Sequence, residues 1–369
     1  MHERASVVGL GLIGGSVALA LRRAGWSVSG VDVDPDVERM ALEREVVDSI
    51  RLDPDADLVV VATPVSAVAE VVRAVLRDTT AVVTDVGSVK SPIASAVRDA
   101  RFVPGHPMAG SEQDGLHGAD PDLFSGAVWV LTPSEDTSDR SLAVVSEFVA
   151  DLDAEPVTLH ADVHDAVVAV VSHVPHLTSV TLMGLAAERA VEHSVLLRLA
   201  AGGFRDMTRI SAGRPSIWPD ICADNQAAII DVLDELLLRL VEMRALVADG
   251  DRDRLLDRLE VAREARVNLP MGARDVADLV EMRVPIPDRP GELAHITRLA
   301  ADLSVNIHDI ELAHSTEGAL GVMIVVVSRE PGERLGAALE EQGYRARPTT
   351  VFWDFGGVVT TSPFEAFRR

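Results

Sequence analysis

The sequence predicts an α/β protein in three parts. These are a doubly wound parallel sheet over residues 1–160, an all-helical segment over 161–280 and a small ferredoxin-like unit over 281–350, with a tail at 351–369. Three observations carry this prediction. Short β-rich runs alternate with helical ones through the first part, the pattern of strands joined by crossover helices. Strand signals then give way to apolar residues spaced three and four apart. Beyond residue 281 strands return around two helices in the order β-α-β-β-α. At 369 residues the chain also exceeds the usual size of one domain.

Each element has its own signal. In the first part, strands are expected at Ala5–Gly9, Ser27–Val33, Leu58–Ala62 and Ala81–Asp85, with helices at Gly14–Ala24, Asp36–Arg44, Val65–Leu76 and Pro92–Arg98. The unbroken apolar run of Leu58–Ala62 marks a strand buried on both faces. Strands at Phe102–Pro104, Ala127–Leu131 and Glu155–Leu159, with a helix near Ser138–Leu152, complete that part. Helical period then covers 161–189, 191–201, 216–248 and 251–268. The broad apolar face within 227–247 suits helix–helix packing and leads us to expect a homodimer. In the third part Met282–Pro287 reads as a strand, Asp288–Gly291 as a turn and Glu292–Leu303 as a helix. Strands follow at Val305–Ala313 and Gly321–Val327, then a helix at Pro331–Gln342 and a closing strand near Tyr344–Pro348. The tail carries Phe352, Trp353 and Phe355.

Composition excludes several function classes. Thirty-four basic residues against 58 acidic ones give a net charge of -24, which argues against nucleic acid as a partner. The single cysteine, Cys222, can form no internal disulfide. The first strand begins by Ala5, so a signal peptide is not expected. The apolar stretches 58–76 and 166–187 are interrupted by Pro64, Glu70 and Arg73 and by His173, Pro175 and His176, so neither reads as a membrane span. A cytoplasmic protein is expected. Lys90 is the sole lysine among many arginines, and an ammonium retained against that bias invites a functional reading beside the structural one.

Gly9-x-Gly11-x-x-Gly14 follows a strand and opens a helix, the context that gives this motif its meaning. Gly9 allows the tight turn, Gly11 the approach of a pyrophosphate and Gly14 close packing of helix on strand. Leu12 and Ile13 begin the helix whose free N–H groups meet the phosphates. Asp32 lies 18 residues beyond Gly14, where a carboxylate bonds a ribose hydroxyl and repels a 2′-phosphate. The expected cofactor is therefore NAD on a Rossmann-type sheet, with Thr63 and Pro64 at the end of a neighbouring strand also lining it. Asp34 reads as a helix cap.

Four further clusters fall at strand ends or in loops: TDVGSVK at 84–90, GHPMAGSE at 105–112, SHVPH at 172–176 and GGFRDMTRI at 202–210, with Trp218 shortly after. Each has a plain structural alternative. His106 could cap a turn, Ser88 a helix, and Asp85 could form a turn; Arg209 could bridge helices. His173 and His176 could be satisfied core histidines in a helix broken by Pro175. His160 and His164 lie one turn apart, but no acidic or thiol cluster accompanies them, so no metal site is expected.

Together these strings resemble the prephenate/arogenate dehydrogenase family, and GLGLIGGS, TDVGSVK, HPMAGSE, SHVPH and GGFRDMTRI occur in its order along nearly the whole chain. DRPGELAHIT and VNIHDIE resemble an ACT domain. The resemblance implies NAD-dependent oxidative decarboxylation of prephenate to 4-hydroxyphenylpyruvate, or of arogenate to tyrosine. It implies that His106 accepts the hydroxyl proton, a task suited to histidine near neutral pH. Ser88 would hold the same hydroxyl, Arg209 a carboxylate and His176 the other end of the substrate. Ser111 and Glu112 would line the pocket, Asp206 would pair with arginine or gate access, Trp218 would help close the site, and Arg205 would reach a neighbouring subunit. Tyrosine is the implied effector, at Asp288, Gly291 and Asn306. The alternatives are another hydroxy-acid dehydrogenase, or a non-catalytic NAD and amino-acid sensor, which would have no need of His106 beside a nicotinamide.

Overall fold

The computed structural model describes residues 3–111, 113–192, 196–268, 279–287, 289–314 and 320–350. The chain divides into two compact units after Arg252. In the first, parallel pairing joins β1 (Arg4–Val8), β2 (Ser27–Val31), β3 (Ser49–Ile50), β4 (Leu58–Val61), β5 (Val82–Asp85) and β6 (Phe102–Val103) in the order β3-β2-β1-β4-β5-β6. Helices α1 (Leu12–Arg23), α2 (Pro35–Glu43), α3 (Val65–Asp78) and α4 (Ser91–Ala96) form the connections. Every residue of β4 is fully buried, as its apolar run requires. β3 is too short for a period to reveal it. α4 stops before the expected Arg98 because Val97 turns extended, with φ -125° and ψ 115°.

Strand order reverses between β1 and β4, and their carboxyl ends border the crevice where ligands of such sheets bind. Steric crowding there is severe. A Cβ on Gly14 would lie 1.9 Å from the carbonyl oxygen of Gly9 and 2.9 Å from Cβ of Ala62. Gly9 has φ +95°, and its Cβ would sit 2.5 Å from the oxygen of Ala62. Both glycines are thus fixed by packing of α1 on the sheet.

The later strands do not extend the parallel sheet. β7 (Gly105–Pro107), β8 (Val128–Leu131) and β9 (Glu155–Thr158) form a separate mixed sheet, with α5 (Asp139–Asp151) linking the last two. Pro104 separates β6 from β7; lacking an N–H, it cannot continue the ladder. Trp129 of β8 packs between Phe124 and Phe148, joining this sheet to the main core.

Helices follow. The expected 161–189 helix is α6 (Ala161–Val168), a π-helical segment (Ala169–His173) and α7 (Val174–Glu192). Val174 N–H bonds the Ala169 oxygen five residues back, while Pro175 has no N–H with which to resume the α ladder. Among described residues, Ala161–Val191 alone is long and apolar enough to cross a membrane. Its His164, Asp165 and His173 are buried and hydrogen-bonded within the fold, while Val170, Val171 and Leu185 are exposed. α8 (Gly202–Thr208), α9 (Trp218–Asp224), α10 (Gln226–Asp249) and α11 (Arg252–Val267) complete the helices, the last beginning at the division between the units.

In the second unit β10 (Leu279–Pro287), α12 (Glu292–Asp302), β11 (Ile307–His314), β12 (Leu320–Ser328), α13 (Arg329–Glu341) and β13 (Arg347–Thr350) form an antiparallel sheet of order β11-β12-β10-β13. Its core includes Met282, Val284, Ile296, Val325 and Leu335. Gly291, at φ +99°, opens α12. Asn306 immediately precedes β11, and Asp288 and the tail at 351–369 lie outside the described residues.

Gly14→Ala should force α1 away from β1 and β4. Denaturant unfolding should show a loss of about 1–3 kcal/mol, as for other overpacked cores; unchanged stability would contradict the packing described.

Candidate active site

The carboxyl ends of β1, β2 and β4 make a cradle that suits a dinucleotide. α1 and α3 both begin there without a side-chain cap, leaving their first N–H groups for an anionic ligand. A Cβ on Gly11 would meet nothing within 4 Å, so the loop is open at the point where the motif expects a pyrophosphate. Leu12 and Ile13 form the first turn of α1, and Thr63 and Pro64 lead into α3. The hydroxyl of Thr63 is buried and has no hydrogen-bond partner in the protein. Asp32 accepts the Leu10 N–H at 2.7 Å and the Asp34 N–H at 3.0 Å, locking the end of β2 to the glycine loop. Asp34 caps α2 by accepting the Asp36 N–H at 2.9 Å. These residues fit NAD.

Beyond β5 the sole lysine is fully buried. Its ammonium pairs with the equally buried Asp85 and donates to the carbonyl of Gly105 at 2.7 Å. Burial pushes Lys90 below the ordinary lysine value, and Asp85 opposes that shift. Asp85 also accepts the N–H of Gly87 at 2.8 Å and of Gly105 at 3.2 Å. It is more than a turn former, because it ties the loop after β5 to β7. Ser88 lies in this loop, half-buried; α4 is entered through Lys90, so Ser88 is not its cap.

His106 occupies β7, opposite Val130, and is not a turn cap. Its Nδ1 lies 2.8 Å from Nε2 of His164, whose Nδ1 lies 2.8 Å from Oδ1 of Asp165. Asp165 in turn accepts the N–H groups of Lys90 and Ser91, each at 2.8 Å, and so caps α4 from α6. Burial opposes its ionisation, but hydrogen bonds from His164, Ser91 and Lys90 outweigh burial and hold the carboxyl below its ordinary value. Burial, reinforced by His164, Lys90 and His173, holds His106 well below the usual histidine value. This shift favours the neutral ring, the form that can accept a proton.

A second group lies on the π segment, α7 and α9. His176 stacks on Trp218 with ring centroids 3.6 Å apart and planes 8° apart. His173 meets the same indole edge-on at 6.1 Å and contacts Asn225 at 3.2 Å, as a satisfied core histidine does. Burial lowers His173 to about 4 and also lowers His176. Asn225 donates to the carbonyl of Asp165 at 2.8 Å, which links this group to the histidine pair.

The structure leaves other expected residues on the surface. Ser111, Arg205, Asp206 and Arg209 are exposed, and Glu112 lies outside the described residues. Asp206 lines a cavity of about 630 Å³ with Ser179 of α7 and Val232 and Leu236 of α10, and neither His106 nor His176 borders it. Sequence reasoning missed His164, Asp165 and Asn225. The pairing of His160 with His164 drew attention to the right helix for a different chemistry; no group of metal ligands exists among the described residues.

Comparison with known proteins gives a consistent picture. Residues 17–158 match the family described as prephenate dehydrogenase, nucleotide-binding domain, and residues 160–261 match prephenate dehydrogenase, dimerization domain. A prephenate dehydrogenase of Bacillus subtilis is 31% identical over 340 residues, covering 88% of this chain and 91% of the relative. A cyclohexadienyl dehydrogenase of Zymomonas mobilis is 31% identical over 285 residues, covering 73% of this chain and 97% of its own length. The crystal structure of prephenate dehydrogenase from A. aeolicus, in complex with hydroxyphenyl propionate and NAD+, superposes with a TM-score of 0.69. It is 27% identical and is matched over 73% of this chain and 99% of its own. With its glycine cradle, buried lysine and histidine pair on that shared framework, the chain belongs to the prephenate dehydrogenase family.

Proposed function

We infer that this protein catalyses the NAD-dependent oxidative decarboxylation of prephenate to 4-hydroxyphenylpyruvate. The observation that carries the reading is His106 on β7, hydrogen-bonded to His164, held below the usual histidine value by burial, and tied through Gly105 to the Asp85–Lys90 pair after β5. NAD, when bound, supplies the hydride acceptor. His106 takes the proton of the substrate hydroxyl as hydride leaves the carbon that bears it. The bond to the ring carboxylate breaks, its electrons complete the aromatic ring, and CO₂ departs. Ser88 orients the hydroxyl, Arg209 grips a carboxylate, and His176, braced by Trp218, meets the opposite end of the substrate. Ser111, Glu112, Arg205 and Asp206 are assigned to the pocket rim, where Arg205 extends towards a partner subunit.

Arogenate is the second reading, favoured by similarity to a cyclohexadienyl dehydrogenase. The two substrates differ by keto against amino at one side chain. The positive charge of Arg205 favours prephenate, whose side chain carries no cation. The wider assignment is a cytoplasmic homodimer in the tyrosine pathway, divided at 160, 280 and 350. Pairing through α10 is supported by exposed Leu237, Leu238 and Val241. Residues 281–350 are assigned as an ACT domain that binds tyrosine around Asp288, Gly291 and Asn306, supported by the split β-α-β order and the left-handed Gly291 before α12.

NADH formation with NAD and each substrate in turn tests the activity; no turnover of either removes it, and arogenate-only turnover selects the second reading. His106→Asn should lower kcat about 10²- to 10⁴-fold with little change in KM, and an unchanged kcat would refute its role. Tyrosine should inhibit the full chain, and Asn306→Ala should weaken inhibition without altering uninhibited turnover; a wild-type enzyme indifferent to tyrosine would contradict the assignment.

A further inference from the structure

We propose that His164 is a positioning residue that sets the protonation state of His106 and then holds the proton taken from the substrate, with Asp165 as its anchor. The inference rests on the dehydrogenase reading above and extends it to two residues that touch neither hydroxyl nor cofactor.

The chemistry of the partners dictates the proton positions. Asp165 is ionised and already accepts two backbone N–H groups, so it can only accept from His164. The Nδ1 of His164, 2.8 Å away, must therefore carry a hydrogen. A neutral imidazole has one N–H, which leaves a lone pair on Nε2 of His164. That lone pair lies 2.8 Å from Nδ1 of His106, which must be the donor between the two rings. Nε2 of His106 is then left unprotonated. A carboxylate in the helical part thus selects, through one intervening ring, the tautomer that a base on β7 needs.

The same line offers a second proton arrangement. When Nε2 of His106 takes the hydroxyl proton, its Nδ1–H can pass across the 2.8 Å contact to Nε2 of His164. His106 is then neutral again, with its hydrogen on Nε2, and the imidazolium is His164, paired directly with Asp165. This placement answers the electrostatics, since burial and its neighbours disfavour a cation on His106 itself. The proton is only lent. Hydride and CO₂ leave, the ring oxygen finishes as a phenol, and the reversed shift returns the proton to it, so the reaction releases none.

Two measurements test this. Ring ¹⁵N spectra of the full-length protein, at a pH where both histidines are neutral, should place the hydrogen on Nδ1 of both His106 and His164. A hydrogen on Nε2 of His106 would overturn the proposal, whatever the activity. Kinetically, His164→Asn should lower kcat about 10- to 100-fold with KM values for NAD and substrate near those of wild type. The groups facing His106 are His164 and Asp165 of α6, His173 of the π segment and Lys90 before α4. Of these His164 depresses the titration of His106 and Asp165 raises it. The acidic limb of the kcat profile marks protonation of His106, so it should move to higher pH in His164→Asn and to lower pH in Asp165→Asn. A folded His164→Asn enzyme with wild-type kcat and an unmoved limb would overturn the proposal. A wild type that turns over neither substrate would instead remove the activity on which it rests, while the spectra would still decide the tautomer.

Discussion

The carboxylate of Asp165 is the constraint on which the active edge depends. It belongs to α6, yet its oxygens cap the start of α4 and hold His164, while its own main-chain carbonyl is held by Asn225 at the head of α10. Sheet, histidine pair and helical layer therefore meet at one residue that is 5% exposed. A charge so placed survives only because three donors converge on it; without them burial would cost far more than pairing returns. The arrangement also explains why Asn225 provides no side-chain cap for its own helix. Its amide is committed to Asp165 and His173.

The lysine ion pair does the corresponding work on the sheet side. Asp85 and Lys90 are both wholly removed from solvent, and each also bonds Gly105, the residue before His106. The imidazole is thus set from two directions: through its backbone by the ion pair, and through its ring by His164. An arginine at position 90 would present a wider, planar group where a single ammonium fits between a carboxylate and a carbonyl. Positional precision of this kind is what hydride and proton transfer demand.

Legibility in the sequence followed the range of the interaction. The motif context of the glycine loop and the cap at Asp34 could be read directly, because each acts on backbone within a few residues. Asp32 is marked by its offset as a ribose ligand, and its bonds to the N–H groups of Leu10 and Asp34 have no signal in that motif. Lys90 could be noticed from composition alone, though not assigned. The partners of His106 could not be read, since His164 lies 58 residues away and Asp165 reaches α4 across 74 and 75. No local pattern encodes such distances. The break between the two sheets at Pro104 and the π segment before Pro175 were signalled by prolines, but helical period runs through 161–189 almost unaltered and hides the interruption. Arg209 and Asp206 are a different case. Their strings were clear, and they sit exposed on α8 and the turn after it, where no local pattern shows what their side chains meet.

The burial of Lys90 has one more consequence, and it concerns reactivity. Because this is the only lysine in the sequence and it is 0% exposed, the folded protein offers no side-chain amine to acylating reagents or to enzymes that acetylate or conjugate lysine. Labelling at that position reports the opening of the loop between β5 and α4, so the protein carries a built-in chemical gauge of the contact between that loop and β7.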